Sequence, residues 1–185
     1  MRKLFQVLDQ KMQHCAAAVL VTVIASSGSV LRGAGAHMLV TRQGRIAGTI
    51  GGGAVEYRCE QRAQGVLASG HSQIETFLLH PNEVQDLGMI CGGDVRVEFR
   101  YLPAGSYEIR SLCRQVERLY QRGEPSWLIA GLFPAGGLSV YGKHSGLYGA
   151  EVPQAVLETL SNRPSRVCVD GREFYGERLI RGGWV

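Results

Sequence analysis

Two stretches of the chain bring together residue types that can do chemistry: Gly48-Thr-Ile-Gly-Gly-Gly-Ala-Val-Glu56 and Gly88-Met-Ile-Cys-Gly-Gly-Asp94. Adjacent residues without a Cβ reach backbone angles closed to others and let a ligand come close to the main chain. Their N–H groups can converge on an anion. A helix opening directly behind them adds unpaired amides and the positive end of its dipole. Gly51, Gly52 and Gly53 therefore read as a phosphate seat, with a tight strand-to-helix turn as the alternative. The spacing is neither GxxxxGKS/T nor GxGxxG, so the common nucleotide loops do not apply. Cys91, followed by Gly92 and Gly93, leaves room for a bulky ligand beside a sulfur that suits a thiophilic metal or a persulfide. Arg32 can grip a phosphate in bidentate fashion or fix its own loop through a salt bridge. Glu56 falls at the third helical position if Gly53 is the N-cap, where a carboxylate either reaches back to the cap or touches the ligand.

These residues need elements to hold them. Leu4, Leu8, Met12 and Cys15 recur along one side of a helix over residues 2–14. Ala17 to Ile24 is a buried β-branched strand, and His37 to Thr41 and Arg45 to Ile50 are two strands joined by the turn Arg42-Gln-Gly44. Val55, Cys59, Ala63 and Val66 then mark a helix from residue 54 to Gly70. Ile74, Thr76 and Leu78 alternate as a short strand, and Val95, Val97, Phe99 and Tyr101 alternate with Arg96, Glu98 and Arg100 as a strand with one wet face. His37 reads as a packed or surface histidine, Asp94 as the cap of its turn, and Cys15, Cys59, Cys113 and Cys168 as core thiols.

Beyond residue 105 the order of elements starts again. Ser106 caps a helix with Ile109, Leu112, Cys113, Val116, Leu119 and Tyr120 on its apolar side, stopping at Gly123. Trp127 to Phe133 is a strand, Leu138-Ser-Val-Tyr-Gly echoes Met38-Leu-Val-Thr-Arg, and Leu147-Tyr-Gly149 answers Ile46-Ala-Gly48 at an offset of 101, with one residue inserted in the turn. Pro153 opens a short helix, and Val167 to Val169, the Asp170-Gly171 turn and Phe174 to Ile180 close the second half as strands. The order occurs twice about 100 residues apart. Where the first copy has Gly51-Gly-Gly53 the second has Glu151-Val-Pro153, so packing alone does not need those glycines. The expected fold is mixed α and β: two similar small halves, residues 1–104 and 105–185, each a mixed sheet flanked by helices, sharing a core or oligomerising.

The 185 residues, 45% hydrophobic and 19% charged, describe a globular chain. The longest apolar run, Ala16 to Ala25, is too short to span a bilayer and the N-terminus has no signal-peptide pattern, so a cytoplasmic protein is expected. A net charge of +4 from scattered basic residues gives no support to nucleic-acid binding. Five cysteines without a CxxC pair argue against a disulfide framework and a zinc site.

Taken together, Val21-Thr-Val-Ile24, Gly28-Ser29 with Arg32, Gly35-Ala-His-Met-Leu-Val40, the triple-glycine stretch and Gly88-Met-Ile-Cys-Gly-Gly93 resemble the XdhC/CoxI proteins, accessory factors of molybdenum hydroxylases such as xanthine dehydrogenase. Two departures stand out. Leu31 replaces a proline frequent before the arginine, and Ala54 replaces a cysteine found after the triple glycine in many members, which leaves Cys91 alone. Larger members continue into a Rossmann domain, and no GxGxxG occurs here, so a short member or the N-terminal part of a longer one is expected. The resemblance implies a non-enzymatic chaperone that binds the molybdenum cofactor, as molybdopterin or its dinucleotide form, helps a cysteine desulfurase to sulfurate it, and delivers it to the apo-hydroxylase. Arg32, Gly51, Gly52, Gly53, Glu56, Cys91, Gly92 and Gly93 would form its site, with Cys91 as metal ligand. The alternatives are a cysteine-dependent enzyme acting through Cys91, for which no Cys-His pair is evident, and a structural adaptor between the hydroxylase and its partners.

Overall fold

In a computed structural model of the protein, residues 1–28, 33–79, 93–132 and 136–179 are described. They form four helices and ten strands. The first series is α1 (Arg2–Gln13), β1 (Ala18–Gly28), β2 (His37–Thr41), β3 (Gly44–Thr49), α2 (Gly53–Ser69), β4 (Gln73–Leu79) and β5 (Gly93–Leu102). The second is α3 (Tyr107–Arg122), β6 (Ser126–Gly131), β7 (Leu138–Gly142), β8 (Gly146–Gly149), α4 (Gln154–Leu157), β9 (Ser165–Val169) and β10 (Arg172–Arg178). Each series builds a five-stranded sheet, of order β3-β2-β1-β5-β4 and β8-β7-β6-β10-β9. Every pairing is antiparallel, so the expectation of mixed sheets gives way to hairpins and neighbours that run up and down. No helix among the described residues is long and apolar enough to cross a membrane.

The repetition reaches down to single atoms. Gly48 and Gly149 have φ of +73° and +112°, and a Cβ on either would collide with the carbonyl oxygen of the facing strand, His37 O at 2.3 Å and Leu138 O at 2.5 Å. Leu138 thus corresponds to His37, one residue away from the Met38 that the sequence alignment suggested. The second copy's turn does hold one more residue, three between the paired Gly142 and Gly146 against two between Thr41 and Gly44, and a bulge in the β2–β3 pairing at Leu39/Val40 takes that residue back before Gly48. The same offset carries on past the strands: α2 follows Gly52 as N-cap and α4 follows Pro153.

Compact units do not follow the two series. Residues 16–104 form one, and residues 1–15 cluster with 105–185 in the other. One boundary of these units falls at residue 104/105, and α1 belongs with the later residues. Its buried stripe Leu4, Phe5, Leu8 and Met12 pairs with α3, whose Leu112, Cys113, Val116, Leu119 and Tyr120 are buried in turn. Arg2 and Gln6 bond Glu117, and Arg110 Nε lies 3.6 Å from Asp9. Ser106 caps α3 by accepting from the Ile109 amide, and Gly123 ends it in the left-handed conformation.

In the unit of residues 16–104, α2 covers one face of its sheet. Among the described residues sixteen buried side chains fill that layer, from Val19, Val21 and Met38 on the strands to Cys59, Ala63 and Val66 on the helix. The opposite face is buried as well: Leu20, Thr22, His37, Leu39, Glu98, Arg100 and Leu102 are all under 9% exposed. Glu98 and Arg100 therefore do not form a wet face. They pair with one another, and Thr22 Oγ1 bonds the His37 Nδ1 at 3.0 Å, which is how polar groups come to be tolerated inside. On β4 the expectation is reversed: Phe77 points in, while Leu78 is 57% exposed on this edge strand.

Candidate functional site

The glycine turn grows out of the end of β3. Gly51, Gly52 and Gly53 have φ of +133°, +80° and +68° in succession, a run of left-handed backbone that only glycine follows without strain. The curled main chain directs its amides inward, and what they meet is Glu56. Its Oε2 accepts from the Ile50 amide at 2.9 Å, from the Gly52 amide at 3.2 Å and from the Thr49 hydroxyl. Gly51 N–H donates to Thr49 Oγ1 at 3.2 Å. Arg45 closes the arrangement: Nη2 lies 3.4 Å from Glu56 Oε1, Nη1 donates to Gly48 O at 2.8 Å, and Nε donates to Glu60 Oε1 at 3.2 Å.

The hollow that the sequence assigned to a ligand anion thus already contains an anion of the chain's own. Burial by itself would push the Glu56 carboxyl up, but the hydrogen bonds from Thr49, Ile50 and Gly52, with Arg45 beside it, outweigh that and hold it below the usual carboxylate range. Of the two roles expected for Glu56, reaching back to the cap is the one seen; the cap is Gly52, and Glu56 is the fourth helical residue. Room for a ligand remains next to it. A Cβ on Gly52 would meet nothing within 4 Å, and the amides of Gly53 and Ala54 open α2, ahead of its first intrahelical donor.

The second copy is an internal control for this turn. At the same offset Ala150 stands for Thr49, Val152, Pro153 and Gln154 for the three glycines, and Leu157 for Glu56. Strand, turn and helix start still form, with Pro153 as N-cap. The glycines, the threonine and the buried carboxylate are therefore additions to a framework that folds without them.

Strand directions gather the expected site segments at one end of the sheet. β3 ends there at Thr49, β1 at Gly28 and β4 at Leu79, while β2 and β5 begin there. Gly93 pairs with both Gly28 and Leu79. In this strand order β3 and β5 are three strand spacings apart, about 14 Å across the sheet, and Thr49 is level with Thr22 whereas Gly93 is level with Gly28, roughly 20 Å further along β1. Arg32, Cys91 and Gly92 lie outside the described residues, as does the 80–92 stretch that holds the thiol. Asp94 is described: it pairs with Ser27, whose hydroxyl accepts from its amide at 3.3 Å.

Other cysteines divide by burial. Cys59 and Cys113 are core thiols, pushed up to about 12 by desolvation. Cys15 and Cys168 are exposed instead. α1 stops at Gln13 and leaves Cys15 in the following turn with φ +51°, and Cys168 faces out of the edge strand β9. No group of three or more His, Cys, Asp or Glu able to hold a metal occurs among the described residues.

Two features went unread in the sequence. A groove of about 360 Å³ runs between α2 and β4, lined by Tyr57, Arg58, Gln61, Arg62, Glu75 and Phe77, and it begins one helical turn beyond Gly53. The buried row of His37, Thr22 and Glu98 crosses the sheet from β2, where His37 pairs with Thr49 at the end of β3. Burial pushes the Glu98 carboxyl up, and Arg100 and His37 offset this only in part. Inward polar residues in a β-branched strand were the available signal for that row.

No curated protein matches the chain. Its fold is that of a crystal structure described as a xanthine dehydrogenase from Bacillus halodurans, with a TM-score of 0.70 and 18% identity over 96% of this chain. The chain spans 52% of that protein's length. The stretch from residue 13 to residue 78, which holds β1 to β3, the glycine turn and α2, is the part that matches a family model, and that family is XdhC and CoxI.

Proposed function

We propose that the protein is a maturation factor for a xanthine dehydrogenase-type molybdenum hydroxylase, carrying the molybdenum cofactor as cargo, supporting its sulfuration and handing it to the apoenzyme. The observation that carries this reading is the contrast between the copies. One framework is built twice, and only the copy matched by the family replaces an ordinary turn with three glycines locked around a carboxylate. Packing gives no reason for that replacement, whereas a ligand that must approach the backbone does.

Molybdopterin would bring a phosphate, or a pyrophosphate in its dinucleotide forms, and a thiophilic metal. In this reading the Gly53 and Ala54 amides, at the positive end of α2 and beside the open space at Gly52, take the phosphate. Glu56 and Arg45 hold the turn in shape. Arg32 adds a guanidinium, and Cys91, followed by Gly92 and Gly93, supplies the soft sulfur. The partners are the apo-hydroxylase and a cysteine desulfurase, in the cytoplasm, and the protein acts as a non-enzymatic homo-oligomer.

Anaerobic incubation with molybdopterin, gel filtration and fluorescence of the retained, oxidised pterin test this. Wild type retains the pterin, Cys91→Ala retains less while staying folded, and Gly52→Val, which both fills open space and strains the left-handed turn, retains least. Failure of the wild type to hold pterin would end the cargo reading. Undiminished retention by a folded Gly52→Val would leave the glycines as a turn and favour an adaptor.

A further inference from the structure

One side of α2 leads from the glycine turn into the groove beside β4. Ala54, Tyr57, Arg58 and Gln61 follow one another three or four residues apart on that side, clear of the buried row Val55, Cys59, Ala63 and Val66, and the last three line the groove. Tyr57 and Gln61 stand about 6 Å and about 12 Å beyond Gly53 along the helix axis. The volume of about 360 Å³ falls in the range of small-molecule sites. Tyr57 offers it an aromatic ring that is 63% exposed, and the buried Phe77 faces it from β4. Arg62 and Glu75 are tied together between helix and strand, Nη2 donating to Oε1 at 3.0 Å. With Arg58 beside them, two guanidiniums stand against one carboxylate, while the acids on the other flank of α2, Glu56 and Glu60, are engaged by Arg45.

The second copy builds this place differently. At the register positions of Glu75 and Phe77 its strand β9 holds Val167 and Val169, both packed against the apolar layer of Ile129, Val156 and Phe174. Its helix α4 ends at Leu157, the counterpart of Glu56, before the residues that would answer Tyr57, Arg58 and Gln61. The polar wall and the exposed ring therefore belong, like the glycines, to the first copy alone. We propose that the groove holds the nucleoside of a nucleoside diphosphate, its base stacked on Tyr57 with Arg58 and Gln61 at its polar edge. If the glycine turn seats a phosphate as proposed above, this nucleoside is the arm of the cofactor's dinucleotide form, with its pyrophosphate at the Gly53 and Ala54 amides, one turn from Tyr57. The cargo is then the dinucleotide, not molybdopterin itself.

Calorimetric titration of the full chain with ADP, CDP, GDP and inorganic pyrophosphate tests the groove without any pterin. The tightest of the three nucleotides is expected to bind about tenfold more tightly than pyrophosphate. Tyr57→Ala brings it down to the pyrophosphate level, whereas Tyr57→Phe, which keeps the ring, does not; circular dichroism checks that both variants are folded. Gel filtration with molybdopterin, and with the dinucleotide form that carries the preferred base, is the second arm. There Tyr57→Ala should weaken retention of the dinucleotide about tenfold and leave that of molybdopterin as in wild type. Nucleotides bound no better than pyrophosphate, an alanine variant that binds them as wild type does, or an equal effect on both pterin forms would each overturn the proposal. The first two results can occur while wild type still retains pterin, which leaves the cargo reading standing. A wild type that binds nucleotides through Tyr57 and holds no pterin in either form would instead end the cargo reading and keep the groove as a nucleotide site.

Discussion

Replacing Glu56 separates the carboxylate's part in the turn from everything around it. Alanine leaves the Ile50 amide, in a residue 5% exposed, and the Gly52 amide without their acceptor. An unmet buried donor costs about 1–3 kcal/mol, and Gly52 is only half-buried, so Glu56→Ala should lose about 3 kcal/mol in all. Glutamine keeps an oxygen in place but gives up the charge, and charge-assisted bonds are roughly twice as strong as neutral ones, so Glu56→Gln should lose about 1.5 kcal/mol. For a chain of this length these translate to Tm decreases of about 6–12 °C and about 3–6 °C. Arg45, 38% exposed on its side chain, adds little to either figure. The folded-state pKa of Glu56 lies below its unfolded value, so the stabilisation is fully present above about pH 4.3 and is lost as pH falls through the folded pKa. Urea unfolding followed by circular dichroism at pH 7, and then in steps to pH 3, checks both parts. Wild type and Glu56→Gln should differ at pH 7, and the gap should narrow as pH falls below about 4.3. A glutamine variant as stable as wild type at pH 7, or a gap that does not narrow at all between about pH 4.3 and pH 3, would refute the claim that an ionised carboxylate holds the turn.

Other expectations are as direct. Gly48→Ala places a Cβ 2.3 Å from the His37 carbonyl oxygen in a left-handed conformation that alone costs about 1–2 kcal/mol, so a loss of about 3 kcal/mol or more is expected in urea unfolding. Arg100→Met strands the buried Glu98 and should cost about 3–5 kcal/mol, while Glu98→Leu combined with Arg100→Met should recover most of it in the same measurement. In Cys91→Ala protein a thiol reagent should modify Cys15 and Cys168 rapidly and Cys59 and Cys113 only after unfolding, as mass spectrometry of the labelled peptides would show. Ser106→Ala removes the cap of α3 and should lower stability by about 1 kcal/mol, seen as a Tm decrease.

Local rules were enough for much of the fold. Ser106 and Gly123 bound α3, Gly70 ends α2, and the Asp170-Gly171 pair, with φ of +51° and +73°, makes the β9–β10 turn, each for reasons contained in a few residues. The repeat was visible too, with the extra residue in its second turn, although β2 was aligned one residue off and the bulge in the β2–β3 pairing that takes the extra residue back is announced by no residue type. Alternation along β5 and β4 marks two faces, but which face is buried depends on what packs there. Glu98 and Arg100 therefore looked wet and Leu78 looked buried. Cys15 fits the period of α1 yet falls just past its end. At the site, the glycines proclaimed an unusual backbone. That its inward amides would be met by Glu56 depends on the Thr49 hydroxyl and the Gly52 cap acting together, which spacing alone does not express.

Because α1 spends its apolar stripe on α3, the chain is laced: its first fifteen residues lodge with residues that come only after the whole of 16–104 in sequence. A polypeptide released at Ala104 would carry Leu4, Phe5, Leu8 and Met12 with no surface to receive them, and one begun at Gly105 would show the matching vacancy along Leu112, Val116 and Leu119. The tandem halves, alike as they are, cannot be parted at their seam without fraying both.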